Sequence, residues 1–240
     1  MIGISPRATE PGKGKRRPEF ARRRVASPCG DCSLLAEADH RIANHLALLA
    51  SYVRLQAADL AKQSAPPTRE SVRLLMSTID SQITAVSRLH RSFATHGRPV
   101  STDLGEHLHE VCAPFIVGLS GERRLVERFE AGCAVRPEHV LPLTQIVAEV
   151  VTNAIKHAHR AGEPGVITVR CARDEAEHLL VEVDDDGPGL PATFDPRTDG
   201  GLGFHLLRSL GKQVGGTITF DSSRRGTHFQ LTIPPARPAA

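Results

Sequence analysis

The sequence predicts an α+β chain: a helical hairpin of the kind that pairs into a dimeric four-helix bundle, followed by an α/β sandwich with helices over a mixed sheet. Three observations predict it. Apolar residues recur at three- and four-residue steps over two long stretches parted by Ala65-Pro66-Pro67. After Pro99, short runs rich in Val, Ile and Leu alternate with helical patterns. Between Asp185 and Gly203 the chain turns to Asp, Gly and Pro, the composition of a long loop.

The elements follow in order. Residues 1–30 carry Pro, Gly and Arg without periodicity and read as a basic, disordered tail. Residues 31–98 read as the hairpin. Its first helix runs from Ser33 to about Gln63, with the stripe Leu34, Leu35, Ala38, Ile42, Leu46, Leu49, Val53 and Leu60. Two prolines stop it, because Pro lacks an amide donor and restricts the residue before it. The second helix starts near Thr68, with the stripe Val72, Leu75, Met76, Ile79, Ile83, Val86, Leu89 and Phe93, and stops by Gly97-Arg98-Pro99. A lone hairpin buries one face of each helix, so pairing of two copies is a physical expectation.

Residues 99–235 read as a second domain, and 236–240 as a tail. Helices are predicted at Asp103–Leu119, Val140–His159 and Phe204–Val214. Strands are predicted at Leu125–Phe129, Ala134–Val135, Val166–Ala172, His178–Asp184, Thr217–Asp221 and Thr227–Ile233.

Charge and composition exclude several classes. Eight Lys/Arg against two Glu give residues 1–24 a charge of +6, so residues 25–240 carry −3 of the chain's net +3. The folded part is mildly acidic and is not expected to bind nucleic acid; the basic arm reads as a solvated tail. No apolar run approaches the roughly 20 residues of a membrane span, and the start lacks the apolar block of a secretory signal. A soluble, cytoplasmic chain is expected. Cys29, Cys32, Cys112, Cys133 and Cys171 are odd in number and scattered, which argues against a disulfide framework. Cys29 and Cys32 form a lone C-x-x-C without two further ligands nearby, so a zinc site is not expected.

Three segments carry chemistry. Asp185-Asp186-Gly187-Pro188-Gly189 follows a predicted strand; a carboxylate there accepts a hydrogen bond from an exocyclic amino group, and glycines let backbone approach a ligand. By itself this pattern is often only a turn. Gly200-Gly201-Leu202-Gly203 runs into a helix, whose free amides and positive dipole end suit phosphate. On the helix before them, Glu149, Asn153, Lys156 and His157 share one stripe at three- and four-residue steps. An Asn oxygen suits magnesium and a lysine offsets phosphate charge, although a solvent-facing stripe has the same spacing.

In combination, and with Gly226-Thr227-His228-Phe229 in the last strand pair, these segments resemble the catalytic ATPase domain of histidine kinases in the GHKL superfamily. The likeness covers about residues 100–235. It implies bound ATP and Mg2+, with Asp185 holding adenine, Asn153 ligating magnesium and Glu149 assisting phosphoryl chemistry. Lys156, His157, Gly187, Gly189, Gly201, Leu202, Gly203 and Thr227 would line the nucleotide. Leu190 to Gly200 is short for the family's ATP lid and has no clear Phe-rich box.

On the first helix, Glu37-Ala-Asp-His40-Arg41-Ile-Ala-Asn44 resembles the phosphoacceptor motif of the His-Arg-x-x-Asn subclass of histidine kinases, and Leu55-Gln56 stands where that motif's Leu-Gln ending belongs. Glu37, His40, Arg41 and Asn44 share a helix face. A neutral imidazole can attack a γ-phosphate, with Glu37 or Asn44 orienting it. The expected activity is an ATP-dependent histidine autokinase that phosphorylates His40 and passes the phosphate to an aspartate of a response-regulator receiver domain. A homodimer is expected; residues 1–30 are too few to be expected to form a sensor domain, so an upstream sensor protein is a further expected partner. Two alternatives stand beside this reading: a phosphotransfer or scaffold protein with a relic ATPase fold, and a serine kinase of the anti-sigma type.

Overall fold

The architecture is that of a computed structural model, which describes residues 30–62, 66–96, 101–119, 122–158, 163–196, 198–199 and 201–235. The chain divides into two compact units, Met1–Glu37 and Ala38–Ala240. All described elements lie in the second unit, except the first turns of the first helix.

The hairpin is α1 (Gly30–Lys62) and α2 (Arg69–His96). Thr68 caps α2: its hydroxyl accepts from the Ser71 amide at 3.1 Å, satisfying one of the donors a helix start leaves open. Next come β1 (Thr102–Asp103), α3 (Leu104–Gly118), β2 (Arg123–Phe129) and β3 (Ala134–Val135). Asp103 caps α3 through the Gly105 amide at 2.7 Å. Then α4 (Pro137–His157) begins three residues before the predicted Val140. Proline at the first helical position is pre-set for the turn and wastes no donor, so it opens α4 rather than blocking it.

The rest of the chain gives β4 (Gly165–Arg173), β5 (Leu179–Asp185), α5 (Leu202–Gln213), β6 (Thr217–Ser223) and β7 (Gly226–Ile233). The five-stranded sheet has the order β2-β4-β5-β7-β6. The β2–β4 pair is parallel, joined through α4, and the remaining pairs are antiparallel. The core lies between this sheet and α3, α4 and α5, from Leu108 and Phe115 through Ile146 and Val151 to Val181, Phe229 and Leu210. The α+β class with a mixed sheet is as predicted.

From Val140 to Thr152, α4 is buried without a break. A helix buried all round has a neighbour on both sides. The sheet covers one side; the hairpin covers the other, where Gln82 Nε2 donates to the Thr144 carbonyl at 3.2 Å and Leu49 and Val86 pack on Leu141. The hairpin therefore presents a mixed face to α4, with Tyr52 and Gln56 of α1 and Thr78 and Gln82 of α2 buried there; His45 and Ser81 are buried as well. Half of its apolar stripe stays in water instead. Ile42, Leu46, Val53, Val72, Met76 and Ile83 are exposed. Periodicity measures amphipathicity, not which partner a face meets, so this division was not legible beforehand.

Among the described residues, no helix is long and apolar enough to cross a membrane. Cys112, Cys133 and Cys171 are buried free thiols, and burial raises all three above their usual range, so they stay protonated and inert. The Cys29–Cys32 pair lies outside the described side chains.

Candidate functional site

A cavity of about 480 Å3 opens between α4, the start of α5 and the ends of β5 and β7. At one end stands Asp185, the last residue of β5. Its Oδ1 accepts from the Gly187 amide at 3.0 Å and the Thr227 amide at 3.2 Å. Two backbone donors fix the carboxylate's orientation and leave Oδ2 as its second acceptor oxygen in a residue of the cavity lining. The β6–β7 turn reaches this point because Gly226 has φ +128°, and a side chain there would collide with the Asp185 carbonyl. Gly189 and Thr227 also line the cavity, whereas Gly187 is packed against Ala158 and contributes its amide only.

At the other end are Glu149 and Asn153 of α4 and the start of α5. Gly201 is the N-cap of α5 and supplies no side-chain cap bond, so the first-turn amides remain available to an anion. Gly203 touches the Glu149 Oε1 side so closely that a Cβ would overlap it. Leu202 opens α5, but its side chain lies outside the described residues.

Glu149 is only 3% exposed, far from a solvent-facing residue. Asn153 Nδ2 lies 3.5 Å from Oε1, and Gln56 of α1 donates through Nε2 to Oε2 at 2.8 Å. Tyr52, one turn before Gln56, is buried beside them; burial, and then the Glu149 charge, push its phenol far above the usual value. The predicted stripe splits at its far end. His157 lines the cavity, but Lys156 is rotated away and lines a small cavity with Tyr52, Gln56 and Thr152. At about 100° per residue, position 157 lies about 40° to one side of 153 and position 156 about 60° to the other, toward the hairpin. Lys156 therefore does not line the nucleotide-sized cavity.

The wall opposite Asp185 is aromatic. Phe194, Phe204, Phe220 and Phe229 form a chain of ring contacts, with centroids 5.1, 5.3 and 5.2 Å apart in that order. All four line the cavity. Sequence reasoning did not bring them together: they come from the loop, α5, β6 and β7, and only Phe204, after Gly203, and Phe229, in Gly226-Thr227-His228-Phe229, carried a local signal. It singled out Gln56 only as the end of the phosphoacceptor motif and missed its contact with Glu149, 93 residues away, and it missed Tyr52.

On α1, Asn44 is exposed. The side chains of Glu37 and His40 lie outside the described residues, although the helix backbone runs through both positions.

The comparisons agree with this geometry. The family model described as "Histidine kinase" matches residues 37–117, and that described as "Histidine kinase-, DNA gyrase B-, and HSP90-like ATPase" matches residues 138–237. Blue-light-activated histidine kinase 2 of Erythrobacter litoralis is 28% identical over 205 residues, which is 83% of this chain and 56% of that protein. Sensor histidine kinase PdtaS of Mycobacterium tuberculosis is 28% identical over 212 residues, 85% of this chain and 40% of that protein. This chain thus spans about half the length of these relatives. Among solved structures, the histidine kinase domain of the Erythrobacter litoralis EL346 blue-light-activated kinase superposes with a TM-score of 0.61 at 26% identity, over 83% of this chain and 90% of that domain.

Proposed function

We propose, since this chain belongs to the histidine kinase family, that it binds ATP in the α4–α5 cavity, phosphorylates His40 and hands the phosphate to an aspartate of a receiver domain. The observation that carries this reading is the Asp185 carboxylate in the cavity lining, pinned through Oδ1 by two amides, which leaves Oδ2 as its second acceptor. That oxygen is an acceptor for the amino group of adenine, and the aromatic wall offers the purine a face. Glycine-opened α5 then meets the triphosphate with backbone amides.

The far end fits a hard cation as well. Asn153 directs its amide nitrogen toward Glu149 and so has its oxygen for magnesium, which keeps most ligands as water and phosphate and needs no protein cage. When bound, magnesium supplies charge neutralisation on the β- and γ-phosphates. Glu149 stands beside Asn153 as the carboxylate for orienting or accepting a proton. In the transfer, a nitrogen of His40 forms a bond to the γ-phosphorus while the bond to ADP's bridging oxygen breaks, and the ring proton leaves to a base. A receiver aspartate then displaces the histidine.

The partners follow from the same reading. The exposed stripes Ile42–Leu46–Val53 and Val72–Met76–Ile83 share one spacing on two neighbouring helices and suit a second copy of the hairpin. Replacing Leu46 and Met76 together by glutamate is expected to turn a dimer into a monomer by light scattering. Domains are read as hairpin 31–98 and ATP-binding region 99–235, with an upstream sensor protein as the source of signal.

The test is direct. Purified chain incubated with γ-labelled ATP and magnesium is expected to take up label that is lost in acid, survives alkali and is chased onto a receiver domain. Label stable to acid would favour a serine kinase, and bound ATP without label would favour a scaffold. In the same assay Asp185→Ala is expected to weaken ATP binding about 10- to 100-fold by calorimetry, the value of one or two charge-assisted hydrogen bonds.

A further inference from the structure

The helix that carries His40 also holds Glu149. Gln56 Nε2 donates to Glu149 Oε2 at 2.8 Å, with both residues buried. Gln56 is sixteen residues from His40 on the continuous helix α1, a rise of about 24 Å. Glu149 abuts Gly203, at the phosphate-binding start of α5. Transfer requires the reacting atoms to come within about 3–3.5 Å. The arrangement that places Gln56 on Glu149 therefore holds the phosphate end of the cavity several helical turns from His40. A second copy paired side by side about the bundle axis brings its own His40 to the same level, so it does not close the gap.

We infer that Gln56 is a latch: in the resting conformer it ties the catalytic-end carboxylate of Glu149 to the phosphoacceptor helix, and phosphorylation of His40 follows its release. This rests on the reading of Glu149 and His40 given above. The seam around the latch is built to open. Beside the apolar contacts of Leu48, Leu49, Leu74 and Val86, it carries polar groups next to the latch: Thr78, Thr152 and Lys156. On α4, Thr152, which faces Tyr52 and Gln56, buries its hydroxyl without a hydrogen-bond partner. Each such group costs free energy that undocking returns. The charge-assisted Gln56–Glu149 bond, together with the neutral Gln82–Thr144 bond, offsets that cost. Loss of the bond shifts the population toward the open form in proportion to its differential contribution.

Two substitutions move the latch in opposite directions. Gln56→Met keeps the length and packing but removes the donor. Gln56→Lys replaces a neutral donor by a cation facing Glu149. In the full chain, Gln56→Met is expected to raise the initial rate of autophosphorylation about tenfold, and Gln56→Lys to lower it about fivefold. Hydrogen exchange of the α4 amides from Thr144 to Asn153 is expected to quicken in Gln56→Met and slow in Gln56→Lys, with β4, β5 and β7 unchanged as the check on folding. Unchanged rate and unchanged exchange in both variants would overturn the latch. So would faster exchange with a slower rate in Gln56→Met, which would make Gln56 a positioning residue. If the parent takes up no label, the autokinase reading fails separately, and the exchange data alone decide the latch: faster exchange in Gln56→Met supports it and equal exchange sinks it.

Discussion

Replacing His40 by alanine is expected to remove acid-labile phosphate from the chain, with labelling at least about 100-fold below the parent, because no other group takes over once the nucleophile is gone. ATP binding should stay within about twofold, since His40 lies on α1 at a level well removed from the cavity, by the helical rise between it and Gln56. Stability should be unaffected within about 0.5 kcal/mol if the side chain is solvated, as for most surface changes. The measurement is a filter-binding assay with γ-labelled ATP, run beside a calorimetric titration. Retained acid-labile label would move the phosphoacceptor to another histidine. His45 is buried in this conformer, so His90 would be the first to examine.

The second large effect concerns Asn153. Asn153→Ala is expected to lower the autophosphorylation rate roughly 100- to 1,000-fold, comparable to removing one preorganised electrostatic group from a transition state. Asn153 is half-buried, and its contact with Glu149 is long at 3.5 Å, so folding should lose less than about 1 kcal/mol. The loss should fall on turnover and on the dependence of rate on magnesium concentration, not on the adenine contact at Asp185. A variant that labels normally while needing no more magnesium than the parent would remove Asn153 from the metal's ligand set. Asn153→Asp is the informative companion: it keeps an oxygen donor, but places a second carboxylate beside Glu149.

Much of this was legible in the chain itself. The strand ending at Asp185, the glycines behind it and the glycine-opened α5 are local features, and their order along the sequence identified the ATPase fold. Element boundaries were read to within about three residues. The largest offsets are at the starts of α1, read from Ser33 and observed from Gly30, and of α4, read from Val140 and observed from Pro137. The aromatic wall was not legible, because Phe194, Phe204, Phe220 and Phe229 come from four separate segments and meet only when β6 and β7 pair beside α5.

The sequence by itself determined the classes of element, the hairpin, the order of the glycine-rich segments and the family to which the chain belongs. These rest on periodicity, turn chemistry and spacing, all of which act over a few residues. Tertiary structure alone decided the strand order, the turning of Lys156 away from the cavity, and which face of the hairpin meets α4. It also decided that Gln56 and Glu149 share a hydrogen bond across 93 residues. Helical periodicity says that a face is apolar or polar, but it does not name the partner. The burial of His45, Gln56, Gln82 and Glu149, with Ile42, Leu46 and Met76 left in water, is settled only where α4 lies between sheet and hairpin and needs a neighbour on both sides.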